Sequence, residues 1–205
     1  MNKQEIDVVL KYCTDSYNGI SPASGYDTIY KVLKSRLPDR LAGESSRPQE
    51  DNTTDTLIEL GPAYTLLPSM LSDTSIRKYK GVDPFLSDRT KNSIVYVRAF
   101  HDENDLSPLK FYLFADDALT FFQNHLNLQG IVVSTDVLNR KVIGGLSCDS
   151  KDHELIDKYA TELSNGIYRV TPENSFTVHI YVDDYFSKKL LDAGFKKKEE
   201  YLFFK

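Results

Sequence analysis

Two pairs of adjacent aspartates, Asp116-Asp117 and Asp183-Asp184, stand where chemistry could occur. Each pair follows an apolar run, Leu109 to Ala115 in one case and Phe176 to Val182 in the other. Each is followed by a helix-like stretch and then by a glycine, Gly130 or Gly194. Paired carboxylates suit Mg²⁺, which takes oxygen ligands. They also suit a helix start, where they accept backbone N–H bonds and complement the positive end of the dipole. No third acidic residue stands at a diagnostic spacing, so capping is the expected role and no metal is expected.

The other reactive types do not assemble into a constellation. His101, His125, His153 and His179 lack the spacing of a zinc-binding helix. Cys13 falls on an apolar stripe, which suits a packed thiol better than a nucleophile. Gly144-Gly145 permits a bulge or a close backbone approach. Lys196-Lys197-Lys198 is followed at once by Glu199-Glu200, the pattern of a solvated strand edge that discourages pairing. The run Tyr181-Val182-Asp183-Asp184 matches the Tyr-x-Asp-Asp box of reverse transcriptases over four residues only. The chain is too short and too acidic for a polymerase's template channel.

The elements that must position these residues follow from periodicity. Ile6, Val9, Leu10, Cys13 and Tyr17 predict a helix over 5–17, and Ile29, Leu33 and Leu37 a second over 25–37, ended by Pro38. Residues 42–56 contain almost nothing apolar and predict a flexible linker or loop. Leu57 to Leu71 is apolar but broken by Gly61-Pro62 and Pro68, which leaves two short helical turns and an edge strand both open. Residues 73–91 are polar, with turn signals at Gly81 and Asp83-Pro84.

Beyond residue 92, strands are expected at 93–100, 109–115, 131–137, 141–146, 176–182 and 195–204. Helices are expected at 117–128, 152–164 and 184–193, with Asn165-Gly166 closing the middle one. The class is therefore α+β (α/β-like), a mixed β-sheet packed with helices and preceded by an N-terminal helical hairpin. The domain reading is 1–41 helical hairpin, 42–56 flexible linker or loop, and 57–205 α/β domain with its core at 93–205.

Composition narrows the function classes. The chain has 205 residues, 40% hydrophobic and 27% charged, with a formal charge of -5, which gives no strong nucleic-acid signal. Two distant cysteines, Cys13 and Cys148, argue for a reducing, cytoplasmic setting. No apolar run approaches a membrane span, so no membrane association is expected.

Residues 141–205 resemble the C-terminal half of the GNAT-type N-acyltransferases. The resemblance rests on the strand–helix–strand–helix order and on Leu190-Leu191-Asp192-Ala193-Gly194-Phe195-Lys196-Lys197. It implies acetyl-CoA as cofactor, with Gly145, Ser150 and Tyr181 as cofactor-binding residues. The family's glycine-bearing pyrophosphate loop is missing, because Cys148 to His153 has no glycine and two aspartates. With no catalytic constellation in view, the expected function is a small cytosolic binding or regulatory protein with a protein partner and no cofactor. A divergent GNAT-like acyltransferase is the alternative.

Overall fold

A computed structural model describes residues 1–12, 23–37, 55–62, 67–71, 74–86, 109–135, 137–139 and 152–205. The expected strands at 93–100 and 141–146, and residues 42–54 of the expected linker, lie outside the described residues.

Two helices come first, α1 (Lys3–Leu10) and α2 (Ala23–Arg36). Then follow β1 (Thr56–Leu60), a 3-10 turn (Leu67–Met70), β2 (Lys78–Val82) and β3 (Lys110–Phe114). The remaining elements are α3 (Ala118–Asn124), β4 (Ile131–Thr135), α4 (His153–Val170), β5 (Phe176–Ile180), α5 (Asp184–Asp192), β6 (Lys196–Glu199) and β7 (Leu202–Phe204).

The strands form one mixed sheet in the order β3-β2-β1-β4-β5-β7-β6. The pairings among β1 to β5 are parallel, and those of β7 with β5 and β6 are antiparallel. The expectation of a mixed sheet packed with helices holds.

The sheet separates two apolar clusters, and alternate strand residues feed each one. Ile58, Leu60 and Val132 point into the cluster that receives α1, α3, α4 and α5. Leu57, Ile131, Val133 and Val178 point into the cluster that receives α2 and the 3-10 turn. Ile6 and Val9 of α1 join the first cluster, and Tyr26, Ile29 and Leu33 of α2 the second.

Leu57 to Leu60 is thus neither a pair of helical turns nor an edge. It belongs to a central strand buried on both faces, the setting in which apolar runs lose their alternation. β2 lies in the stretch read as polar and turn-like, because Lys78 and Lys80 alternate with buried Tyr79 and Gly81. The region expected as one strand at 195–204 is a hairpin of β6 and β7. Before it, Gly194 takes φ 115, and the Phe195 N–H reaches back to the Leu190 carbonyl at 3.2 Å to close α5.

α4 runs past the expected stop at Asn165-Gly166 and ends at Val170. Gly166 serves packing instead, since a Cβ there would lie 3.0 Å from Cδ2 of Phe122 on α3. Among the described residues, no helix is long and apolar enough to cross a membrane.

Candidate functional site

Five parallel strands place their carboxyl ends on one edge. Beyond those ends lie Gly61-Pro62, Asp83 to Leu86, Ala115 to Asp117, Val137 to Asn139 and Tyr181 to Asp183. The chain moves outward from β1 to β2 and β3, then returns to the other side of β1 as β4 and β5. In open α/β sheets this reversal opens a crevice at the carboxyl ends, which is where ligands bind.

Gly61 leaves β1 with φ 68, a left-handed turn that favours glycine, and its N–H still bonds the Val82 carbonyl at 2.9 Å. Pro62 folds over β2, where a Cβ on Gly81 would meet its ring at 2.9 Å. Asp83 directly follows β2 and is buried. Its N–H bonds the Phe114 carbonyl of β3 at 3.1 Å, and its Oδ1 accepts from the Phe85 N–H at 2.8 Å. The carboxylate is therefore held in one orientation beside the end of β1. The start of α2 closes over the far side, since a Cβ on Gly25 would lie 2.9 Å from Cγ2 of Thr135.

Beneath this edge sits Glu59, 0% exposed. Tyr79 on β2 donates to its Oε2 at 2.5 Å, and the Tyr26 phenol of α2 bonds the same group. Oε1 has no hydrogen-bond partner. Burial pushes the Glu59 carboxyl up to about 7, with Asp83 adding like-charge repulsion and the two phenols opposing both.

One aspartate of each pair acts as a helix cap. Asp117 accepts from the N–H groups of Leu119 and Thr120, both at 3.0 Å, and Asp183 accepts from that of Phe186 at 2.8 Å. These caps pin the loops after β3 and β5. No group of three or more His, Cys, Asp or Glu side chains among the described residues is placed to hold a metal. None of the described loop residues named above at this edge is Lys or Arg, and Asp83, Asp116, Asp117 and Asp183 make its described part acidic.

Of the expected cofactor residues, Gly145 and Ser150 lie outside the described residues. Tyr181 is described. It ends β5 in the left-handed region at φ 60, is 48% exposed, and its carbonyl accepts from Asn139 at 3.5 Å. Cys13, Cys148 and His101 also fall outside the described residues. His179 is buried between Ser134 and Thr177, and His125 bonds the Phe121 carbonyl at 2.8 Å. A cavity of about 540 Å³ lies between the first turns of α4 and α5, lined by His153, Asp157 and Tyr185.

Sequence reasoning missed Glu59, Gly61 and Asp83. The signal was present: an acid and a glycine close an apolar run at Ile58-Glu59-Leu60-Gly61. A second acid, Asp83, follows 22 positions later at the end of the next strand. That is the spacing at which a nucleoside-binding α/β unit places its ribose acid.

Solved structures share this fold. An O-methyltransferase family protein from Burkholderia thailandensis is similar over 89% of this chain and 54% of its own, at 10% identity and a TM-score of 0.52. The N-methyltransferase NodS from Bradyrhizobium japonicum WM9 is similar over 86% of this chain and 84% of its own, at 10% identity and a TM-score of 0.51. The chain spans about half the length of the first, and at such identity the likeness is one of fold. No family model and no curated protein sequence matches the chain.

These findings correct the functional expectations. The GNAT resemblance is overturned, since the fold is shared with methyltransferases. Its strand–acid–helix pattern recurs in many layered sheets and does not determine strand order. The binding or regulatory reading, the acyltransferase alternative, and the cofactor expectations of none or acetyl-CoA fall with it.

Proposed function

We propose that the chain is a methyltransferase that takes its methyl group from S-adenosylmethionine held across the carboxyl ends of β1 and β2. The observation that carries this reading is the placement of Gly61 and Asp83 directly after the adjacent strands β1 and β2, with β1 bordering the reversal point of the sheet. The likeness of fold to two methyltransferases supports it.

The residues present fit such a ligand. Gly61 carries no side chain, so a nucleoside can approach the backbone there. The fixed, buried Asp83 carboxylate suits the paired hydroxyls of a ribose, since an ionised carboxylate only accepts. The acidic edge and the orphaned Oε1 of Glu59 suit a ligand of positive charge. When bound, S-adenosylmethionine supplies an electrophilic methyl group on a sulfonium.

The chain's own contribution is position and field. Asp117 and Asp183 tie the loop ends to α3 and α5, so the crevice walls are preorganised. Glu59 and Asp83 lie in ground where charge interactions are strong, because water is excluded from both side chains.

Thermal unfolding with and without S-adenosylmethionine tests the reading. A ligand that binds only the native state adds about 2.7 kcal/mol at 100 times its Kd. A saturable rise in Tm is expected, and an unchanged Tm at millimolar S-adenosylmethionine would overturn the proposal.

A further inference from the structure

Glu59 is a buried acid that meets no positive charge among the described residues. Tyr79 and Asp83 face it from β2 and Tyr26 from α2, while β1's other neighbour, β4, presents Val133 opposite it. No Lys, Arg or His of the described residues acts on it. Its Oε1 is unpartnered although the side chain is fully closed off from water. An ionised carboxylate in such a place lacks a counter-charge. A cation entering above the ends of β1 and β2 would provide one, and the demethylated product, a neutral thioether, would not.

From this arrangement we infer that Glu59 discriminates the methyl donor from its product by charge, giving up its proton when the sulfonium ligand enters and keeping it when the thioether is bound. The inference rests on the function proposed above and adds to it a means of favouring donor over product. No bond to carbon is involved. The proton passes from the Glu59 carboxyl to the buffer on donor binding and returns after the positive charge has gone. Because burial holds the carboxyl up to about 7 in the free protein, the exchange occurs near neutral pH.

Isothermal calorimetry of the full chain at pH 6.5, in buffers of differing ionisation enthalpy, counts the protons released. S-adenosylmethionine and S-adenosylhomocysteine are the two probes. If the sulfonium lowers the carboxyl tenfold in proton affinity, wild type releases about half a proton with the donor. Little release is expected with the product. Glu59→Gln is expected to abolish the difference, which also removes any contribution from the ligands' own amino groups. Tyr79→Phe, which removes a phenol that favours the anion, is expected to move the release to higher pH.

Equal release by both ligands, or an unchanged difference in Glu59→Gln, would overturn the inference while leaving the methyltransferase reading intact. Should Glu59→Gln fail to fold, an unshifted release in Tyr79→Phe overturns it instead. Absence of binding by either ligand overturns the reading beneath it, and this inference with it.

Discussion

Ser134 on β4 and His179 on β5 face each other in register, and the serine hydroxyl lies 2.8 Å from Nδ1 of the imidazole. On the other side of the ring, Nε2 lies 2.8 Å from the Thr177 hydroxyl, which itself donates to the Val132 carbonyl. Thr177 therefore accepts from Nε2–H, and Nδ1 accepts from Ser134. The neutral ring satisfies both nitrogens in this way, and burial pushes the ring down to about 3.

His179 should therefore remain neutral in the folded protein at pH 5, as the Nε2–H tautomer, which ¹⁵N-detected NMR of the imidazole reads directly. The unfolded chain gains this proton near the ordinary value of 6.5 and the native state only near 3. The group thus costs stability as pH falls through that window. Ser134→Ala leaves Nδ1 without a donor and should cost about 1–3 kcal/mol in denaturant unfolding.

Glu59 gives the opposite slope. Its carboxyl is raised from 4.5 to about 7, so between these values the native state holds a proton that the unfolded chain has lost. Stability should fall as pH rises through this window, by about 3 kcal/mol in all, and level off above it. Urea unfolding of wild type against Glu59→Gln across pH 5 to 8 checks the sign. A parallel pair of curves would show that Glu59 does not titrate there.

The aspartates beside α3 and α5 should behave as caps. Asp117→Ala and Asp183→Ala are each expected to lose about 0.5–2 kcal/mol of stability. Adding Mg²⁺ should leave the melting temperature of wild type and both variants unchanged. A magnesium-dependent rise lost in the variants would restore the metal reading of these carboxylates.

Asp83→Asn preserves the acceptor that fixes the Phe85 N–H and removes the charge. Hydrogen bonds to a charged group are worth about 1.5–3 kcal/mol. Affinity for S-adenosylmethionine should therefore fall by roughly 10- to 100-fold, while urea unfolding stays close to wild type. Equal affinities would remove Asp83 from the site.

The described elements of the later half of the fold were legible where their signals are local. Asp117 and Asp183 each precede a helix, and Phe176 to Ile180 and Ile131 to Thr135 are apolar runs of strand length. The centre of the sheet was not legible, for reasons that lie in tertiary packing. β1 is only five residues long and lacks alternation because both of its faces are buried, and Gly61-Pro62 follows at once. Gly166 reads as a helix stop in isolation, yet it lets Phe122 pack against α4. The candidate site suffered most, because Gly61 and Asp83 meet only through the parallel pairing of β1 with β2. Tyr181 was singled out for a resemblance that the fold overturns, although it does stand at the carboxyl edge.

The decisive experiment is a crystal structure of the protein grown with S-adenosylmethionine. The adenosine is expected over the ends of β1 and β2, backed by Gly61, with the ribose hydroxyls within hydrogen-bond distance of Asp83. A nucleoside bound elsewhere, or an empty carboxyl edge at saturating ligand, would contradict it.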